Sequence, residues 1–178
     1  IDTLTRAANA APNEWTVYPR LIDLLQLSGR ATEAAQRLTR FRAQGSLPLP
    51  IQRQRARLLD RQGLQAEYMN DLSDLAARGG ADDRLAYAIE LARAGDAAKA
   101  KPLFDALLAE PTVSARAVVA AAEFVDATQG LEAGLAVLAG VPAGVDAASL
   151  KTEKARLLAR HDRKDEAEAI YRELTVGG

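Results

Sequence analysis

His161 is the one side chain in this 178-residue sequence with an ordinary pKa near neutrality. It stands beside Asp162, and any Ser-His-Asp site would have to be built around it. No nucleophile in a suitable context accompanies it. The pair therefore reads as a polar turn after a helix, where histidine also complements the helix dipole. Cysteine is absent, which removes thiol nucleophiles, disulfides and thiolate metal sites. A lone histidine cannot make a paired-histidine zinc motif. The acid pairs Asp82-Asp83 and Asp165-Glu166 fall at expected helix starts, where negative charge is favourable, and are not catalytic dyads. The loop Arg78-Gly79-Gly80-Ala81-Asp82 lacks the Lys-Ser/Thr that a phosphate-binding loop requires. A glycosidase needs two poised carboxylates and sugar-stacking aromatics, and aromatics are 4% of the chain. These residues predict no catalytic site, no cofactor and no metal.

Recognition is the chemistry that remains. Arg53, Arg57, Asp60 and Arg61 recur at three- to four-residue spacing, which puts them on one helix face. From Arg30 to Arg61 there are eight arginines against Glu33 and Asp60. Guanidinium forks bind carboxylates in pairs, so an acidic peptide or protein surface suits this face. The bland alternative is a solvated helix face. A net charge of −1 argues against a nucleic-acid partner, because that affinity rests on neutralising phosphates.

These residues must be carried by helices. Leu21, Leu24 and Leu25, and again Ala100, Leu103 and Leu107, follow helical spacing. No stretch sustains the alternation of β-branched residues that a strand requires. Pro12, Gly29, Gly45-Ser46-Leu47-Pro48, Gly63, Gly79-Gly80, Gly95, Pro111, Gly130 and Gly140-Val141-Pro142 punctuate the apolar segments. Gly29, Gly63 and Gly95 are 34 and 32 residues apart, and the phase continues through Gln129, beside Gly130, to Asp162. Seven residues before these points stand Ile22, Ala56, Ala88, Ala122 and Ala155. Four before stand Leu25, Leu59, Leu91, Val125 and Leu158. Five after stand Ala34, Tyr68, Ala100, Gly134 and Ala167. Nine after stand Leu38, Leu72, Phe104, Leu138 and Tyr171, and twelve after stand Phe41, Leu75, Leu107, Val141 and Leu174. Small residues let two antiparallel helices approach, and the large ones fill the space to the next pair. One hairpin cannot bury its own apolar face, so hairpins must stack.

The pattern resembles the tetratricopeptide repeat, a helix–turn–helix unit. The best match runs from Tyr87 through Gly95-Asp96, Ala100 and Phe104 to Pro111. Gly29–Ala34 and Asp162–Ala167 repeat its turn signature. The resemblance implies an all-α, right-handed α-solenoid of stacked antiparallel helix hairpins. It divides the chain into the second helix of a truncated repeat at 1–12 and five repeats at 13–48, 49–80, 81–111, 112–145 and 146–178. Ile22 and Tyr68 are bulky where the family has small residues, and Arg55 and Lys154 fall in a column that is usually apolar.

In such arrays the first helices line a concave face. Here they are expected at Glu14–Leu27, Leu49–Gln62, Asp82–Ala94, Thr112–Thr128 and Ala147–Arg160. The resemblance then adds Asp23, Gln26, Arg93, Glu123, Asp126, Arg156 and Arg160 to Arg53, Arg57, Asp60 and Arg61 as candidate partner-binding residues. Trp15 and Tyr18 are expected to pack on the preceding hairpin. The Lys and Asn of the chaperone-binding carboxylate clamp are not matched: Arg57 stands where an Asn is needed, while Asn13 and Asn70 lie elsewhere. The implied function is a non-catalytic protein-interaction scaffold, with another protein or peptide as partner.

The Ala-, Leu- and Arg-rich, divergent repeats also look like the periplasmic arms of bacterial exopolysaccharide export proteins. Such an arm recruits polysaccharide-modifying enzymes or guides the polymer. Weak polysaccharide contact would then fall to Asp23, Glu123 and Asp126. That likeness tilts the expectation toward the bacterial periplasm, which the lack of cysteine does not decide. No segment approaches the ~20 apolar residues a membrane helix needs. Pro12 falls where an earlier repeat would close, and Thr175-Val176-Gly177-Gly178 carries no polar capping helix. Both are expected of a piece cut from a longer array.

Overall fold

The computed structural model describes residues 1–11, 14–42, 47–141 and 144–176, without the side chains of 39–42 and 176. Pro12, Asn13, Gly45, Ser46, Pro142, Gly177 and Gly178 lie outside the described residues, as does the side chain of Phe41. The described chain is all-helical, a succession of helix hairpins as in repeat solenoids. After α1 (Asp2–Ala10) come α2 (Tyr18–Leu27) and α3 (Ala31–Arg42), α4 (Leu49–Arg61) and α5 (Gln65–Arg78), and α6 (Ala81–Arg93) and α7 (Ala97–Leu108). Then follow α8 (Ala115–Gln129) and α9 (Leu131–Ala139), and α10 (Ala147–Arg160) and α11 (Lys164–Val176). Two compact units comprise residues 1–87 and 88–178, with the division inside α6.

Four of the turns share one hydrogen-bond pattern. After α2, the amide of Gly29 donates to the Gln26 carbonyl and that of Arg30 to the Leu25 carbonyl. The same two bonds recur at Gly63 and Leu64, at Gly95 and Asp96, and at Asp162 and Arg163. This closing motif needs a left-handed residue, and the φ values of Gly29, Gly63, Gly95 and Asp162 are 74°, 68°, 79° and 62°. Asp162 alone holds that conformation against its Cβ. Asp162→Gly is therefore expected to raise stability by about 1 kcal/mol, read from urea unfolding. At the fourth turn Gly130 leads directly from α8 into α9 with φ 94°, and its amide bonds back to Asp126. This shorter link matches the displaced glycine in the sequence.

Two helix starts differ from expectation. Trp15–Val17 is a tight 3-10 turn, and α2 begins at Tyr18. Pro19 has no N–H to return to the Trp15 carbonyl, so an α-helix cannot extend back through it. The helix expected from Thr112 starts at Ala115, because the Ser114 hydroxyl caps the Ala117 amide at 3.2 Å.

The small-residue columns are where the helices touch. Ala34, Ala88, Ala100, Ala122 and Ala155 have no exposed surface, and Ala167 is 3% exposed. At Gly134, a Cβ would stand 2.9 Å from the Asp126 Cβ and 3.0 Å from the Ala122 carbonyl oxygen. Glycine is what allows α9 to lie this close to α8. Tyr68 is half-buried instead and packs on the Ala56, Leu72 and Leu75 cluster. The large columns are less uniform than expected. Val125 and Val141 are half-buried; on α11 Leu174 is half-buried and Tyr171 is 41% exposed, because no later helix among the described residues covers α11. Tyr18 is buried, tilted against Trp15 at 5.1 Å, and its hydroxyl donates to the Ala8 carbonyl. That is the packing role expected of the pair.

Arg55 departs from its usually apolar column and is nonetheless buried. Its guanidinium meets both Asp71 oxygens at 2.6 Å, with Arg55 3% and Asp71 0% exposed. Gln52, also buried, donates to the Asp74 carboxylate at 3.1 Å and accepts from Arg78 at 3.0 Å. Arg78 donates onward to the Leu47 carbonyl at 3.0 Å. This network ties α4 to α5 through polar groups where neighbouring hairpins use aliphatic contact.

Candidate interaction surface on the first helices

The arginine-rich stretch is largely engaged within its own unit. Arg53 forks onto Asp83, with Nε to Oδ1 at 2.8 Å and Nη2 to Oδ2 at 2.6 Å. The arginine holds the Asp83 carboxyl below its ordinary range. Arg61 donates to Gln26 at 2.7 Å. Arg30 and Arg37 share Glu33, and Arg55 belongs to the buried pair. Arg53 and Arg61 thus turn to different neighbouring helices, α6 and α2, instead of forming one free cluster. Arg57 and Asp60 on α4 and Asp23 on α2 remain exposed.

In the second unit, Arg93 is exposed and pairs locally with Glu90 at 2.7 Å. The other four candidates come together between α8 and α10. Arg156 pairs with Glu123 and forks onto Glu153, with Nε to Oε2 at 2.8 Å and Nη2 to Oε1 at 3.0 Å. Arg160 lies 3.5 Å from Asp126, and the His161 Nε2 is 2.7 Å from the other Asp126 oxygen. Asp126, expected to face a partner, is instead 6% exposed. The close seat of α9 on α8 at Gly134 places it against that glycine and under α10. His161 is a turn residue as expected, and it also holds Asp126.

The sequence reading missed Glu153. It is 4% exposed, and burial pushes its carboxyl up to about 7; Arg160 opposes that rise and Asp126 adds to it. Near neutrality the group is poised between a proton and the Arg156 fork. Between about 4.5 and 7 the folded chain holds a proton that the unfolded chain has released. Stability therefore falls as pH rises through that window. Glu153→Gln is expected to flatten this slope and to gain on the order of 2 kcal/mol relative to wild type at pH 8. Urea midpoints at pH 5 and pH 8 measure it, and equal slopes in the two proteins would contradict it.

Beside this cluster, α8 and the start of α10 border an open cleft of about 480 Å³. Its polar lining residues are Arg116, Asp146, Ser149, Thr152, Glu153 and Arg156. Its volume is within the range of ligand sites. Among the described residues, no group of three His, Asp or Glu side chains could hold a metal ion. No described helix is long and apolar enough to cross a membrane.

A spacing signal could have found these ties. Gln26 and Arg61, Glu123 and Arg156, and Asp126 and Arg160 are 35, 33 and 34 residues apart. That is about one repeat length, so each pair bridges positions of successive first helices that are equivalent to within one residue.

No protein-family model matches the sequence, and no curated protein sequence is similar enough to count as a relative. Solved structures match the fold. A tetratricopeptide repeat protein from Parabacteroides merdae is similar over 98% of this chain and 71% of its own, with TM-score 0.75 and 16% identity. MamA from Desulfovibrio magneticus matches 92% of this chain and 94% of its own, with TM-score 0.68 and 16% identity. A Podospora anserina protein described as a kinesin light chain with TPR-like repeats matches 93% and 95%, with TM-score 0.63 and 18% identity. At these identities the likeness is one of fold, and the fold is that of the tetratricopeptide-repeat solenoids.

Proposed function

We propose that this chain is a non-catalytic scaffold that binds a partner protein or peptide on the concave face of a right-handed solenoid. The repeat division 13–48, 49–80, 81–111, 112–145 and 146–178, after a partial repeat at 1–12, belongs to the same reading. The observation that carries it is the cleft between α8 and α10, two successive first helices, with both walls bearing guanidinium groups. Function has to be argued from such a site and not from the fold, which serves many purposes. In the first unit, Arg57 offers an exposed cation on α4. Arg53 and Arg61 can reach a partner only by leaving Asp83 and Gln26.

Changing Arg53, Arg57 and Arg61 together to Glu tests that first-unit surface. Calorimetry against a partner captured with the wild-type chain is expected to show at least about tenfold weaker binding, since charge reversal adds repulsion to lost contacts. Unchanged affinity would remove the α4 face from the reading.

A narrower reading makes the chain a periplasmic arm of an exopolysaccharide export machine. Its support is compositional. An upstream signal peptide and a downstream run of short alternating strands in the parent gene would favour it. Direct polymer contact through Glu123 and Asp126 has less support, because both carboxylates already meet Arg156, Arg160 or His161.

A further inference from the structure

The acids around the cleft between α8 and α10 are all engaged. Asp146 accepts from the Ala148 and Ser149 amides and from the Ser149 hydroxyl at the start of α10. Asp126 holds Arg160 and His161, and Glu123 and Glu153 share Arg156. The cations are not matched in the same way. Arg116 is exposed on the α8 wall and makes no ion pair among the described residues. Arg156 is half exposed and holds two carboxylates at once. Among the described lining residues the cation without an ion pair is therefore Arg116, and it fits a carboxylate. α9 and α11 also pack on α10. On α9, Glu132 pairs with Arg163; on α11, Glu166 pairs with Arg163, Glu168 with Arg172 and Glu173 with Lys151, and Asp165 is exposed. The charged groups around Glu153 are thus Asp126, Glu123 and Arg116 from α8, Asp146 at the start of α10, and Arg156 and Arg160 from its own helix.

We propose that this cleft binds an acidic peptide segment of a partner, with Arg156 leaving Glu153 for the incoming carboxylate and Glu153 taking up a proton from solvent as it is released. The proposal rests on the scaffold reading above and gives that reading a second, proton-linked site. Physical necessity drives the coupling. A carboxylate 4% exposed that loses its guanidinium keeps its charge only at high cost, so it is neutralised. Arg116 supplies the opposite fork. Ser149 and Thr152 also line the cleft, their hydroxyls donating to Asp146 and to the Ala148 carbonyl.

The test uses the full chain and a fluorescein-labelled peptide of alternating glutamate and alanine, followed by anisotropy at constant ionic strength. Its side chains stay ionised at both pH 6 and pH 8, so any pH effect belongs to the protein. Glu153 passes from mostly protonated to mostly ionised across that interval, and affinity is expected to be about tenfold tighter at pH 6. Glu153→Gln should bind equally at both pH values. His161→Gln should keep the tenfold change, which assigns it to Glu153 and not to the imidazole. Arg156→Ala, its fold checked by circular dichroism, should lose binding about tenfold or more. The triple variant in α4 should bind as wild type does. A pH-independent wild type, or a Glu153→Gln protein that still responds to pH, would overturn the proton link and leave the scaffold reading standing. Equal binding of the Gln-Ala peptide, or full competition by succinate at the peptide's own concentration, would overturn the acidic-peptide assignment. No binding of the acidic peptide by any of these proteins would refute the proposal and remove the main support for the scaffold reading.

Discussion

Asp71→Ala is expected to destabilise the first unit by about 3–5 kcal/mol, the cost of leaving a buried charge without its partner. Arg55 is 3% exposed and its guanidinium meets both Asp71 oxygens at 2.6 Å. The Gln52 amide also points at the Asp71 carboxylate and carbonyl, at 3.5 and 3.4 Å. Removing the carboxylate takes away the acid that both 2.6 Å contacts of the guanidinium reach, at a site only 3% exposed. The double change Arg55→Leu with Asp71→Leu separates this cost from the worth of the pair. Replacing both charges with apolar groups of similar size is expected to stay within about 1–2 kcal/mol of wild type or to exceed it. Urea unfolding followed by circular dichroism decides. A single variant as stable as wild type would show that Arg55 reaches solvent.

In the second unit, Phe104→Ala is expected to cost about 3–5 kcal/mol. Phe104 is 2% exposed on α7 and stacks on Phe124 of α8, with ring centroids 5.0 Å apart and planes 28° from parallel. The loss combines apolar transfer, the cavity left behind and the ring contact itself. Phe104→Leu refills most of the volume and is expected to cost about half as much or less. Thermal melts distinguish the two. If the alanine and leucine variants melt together, cavity formation is not what the ring prevents.

The turns and close contacts were the most legible features of this sequence. Gly29, Gly63 and Gly95 mark left-handed turns because glycine adopts positive φ without strain, and Asp162 was found by phase alone. The small columns were readable for a similar reason: two helices approach closely only where side chains are absent, as at Gly134. The candidate surface was less legible. Helical spacing puts Arg53 and Arg61 on one side of α4, but cannot say that Asp83 and Gln26 lie within reach of them. The departure of Arg55 from an apolar column was visible. Its partner Asp71 was not, because the pairing depends on how α5 folds back over α4. Glu153 gave no signal in its own residue type. Its burial comes from the packing of α10 among its neighbouring helices α8, α9 and α11, and its elevated pKa follows chiefly from that burial.

The central claim is that partners bind the first helices of the hairpins. Hydrogen exchange of the whole chain, with and without the glutamate–alanine peptide at saturation, tests it most directly. The account predicts slowed exchange in α8 and the first turns of α10, with α9 and α11 unchanged. Protection confined to α9 and α11, or spread evenly over both helices of each hairpin, would contradict it.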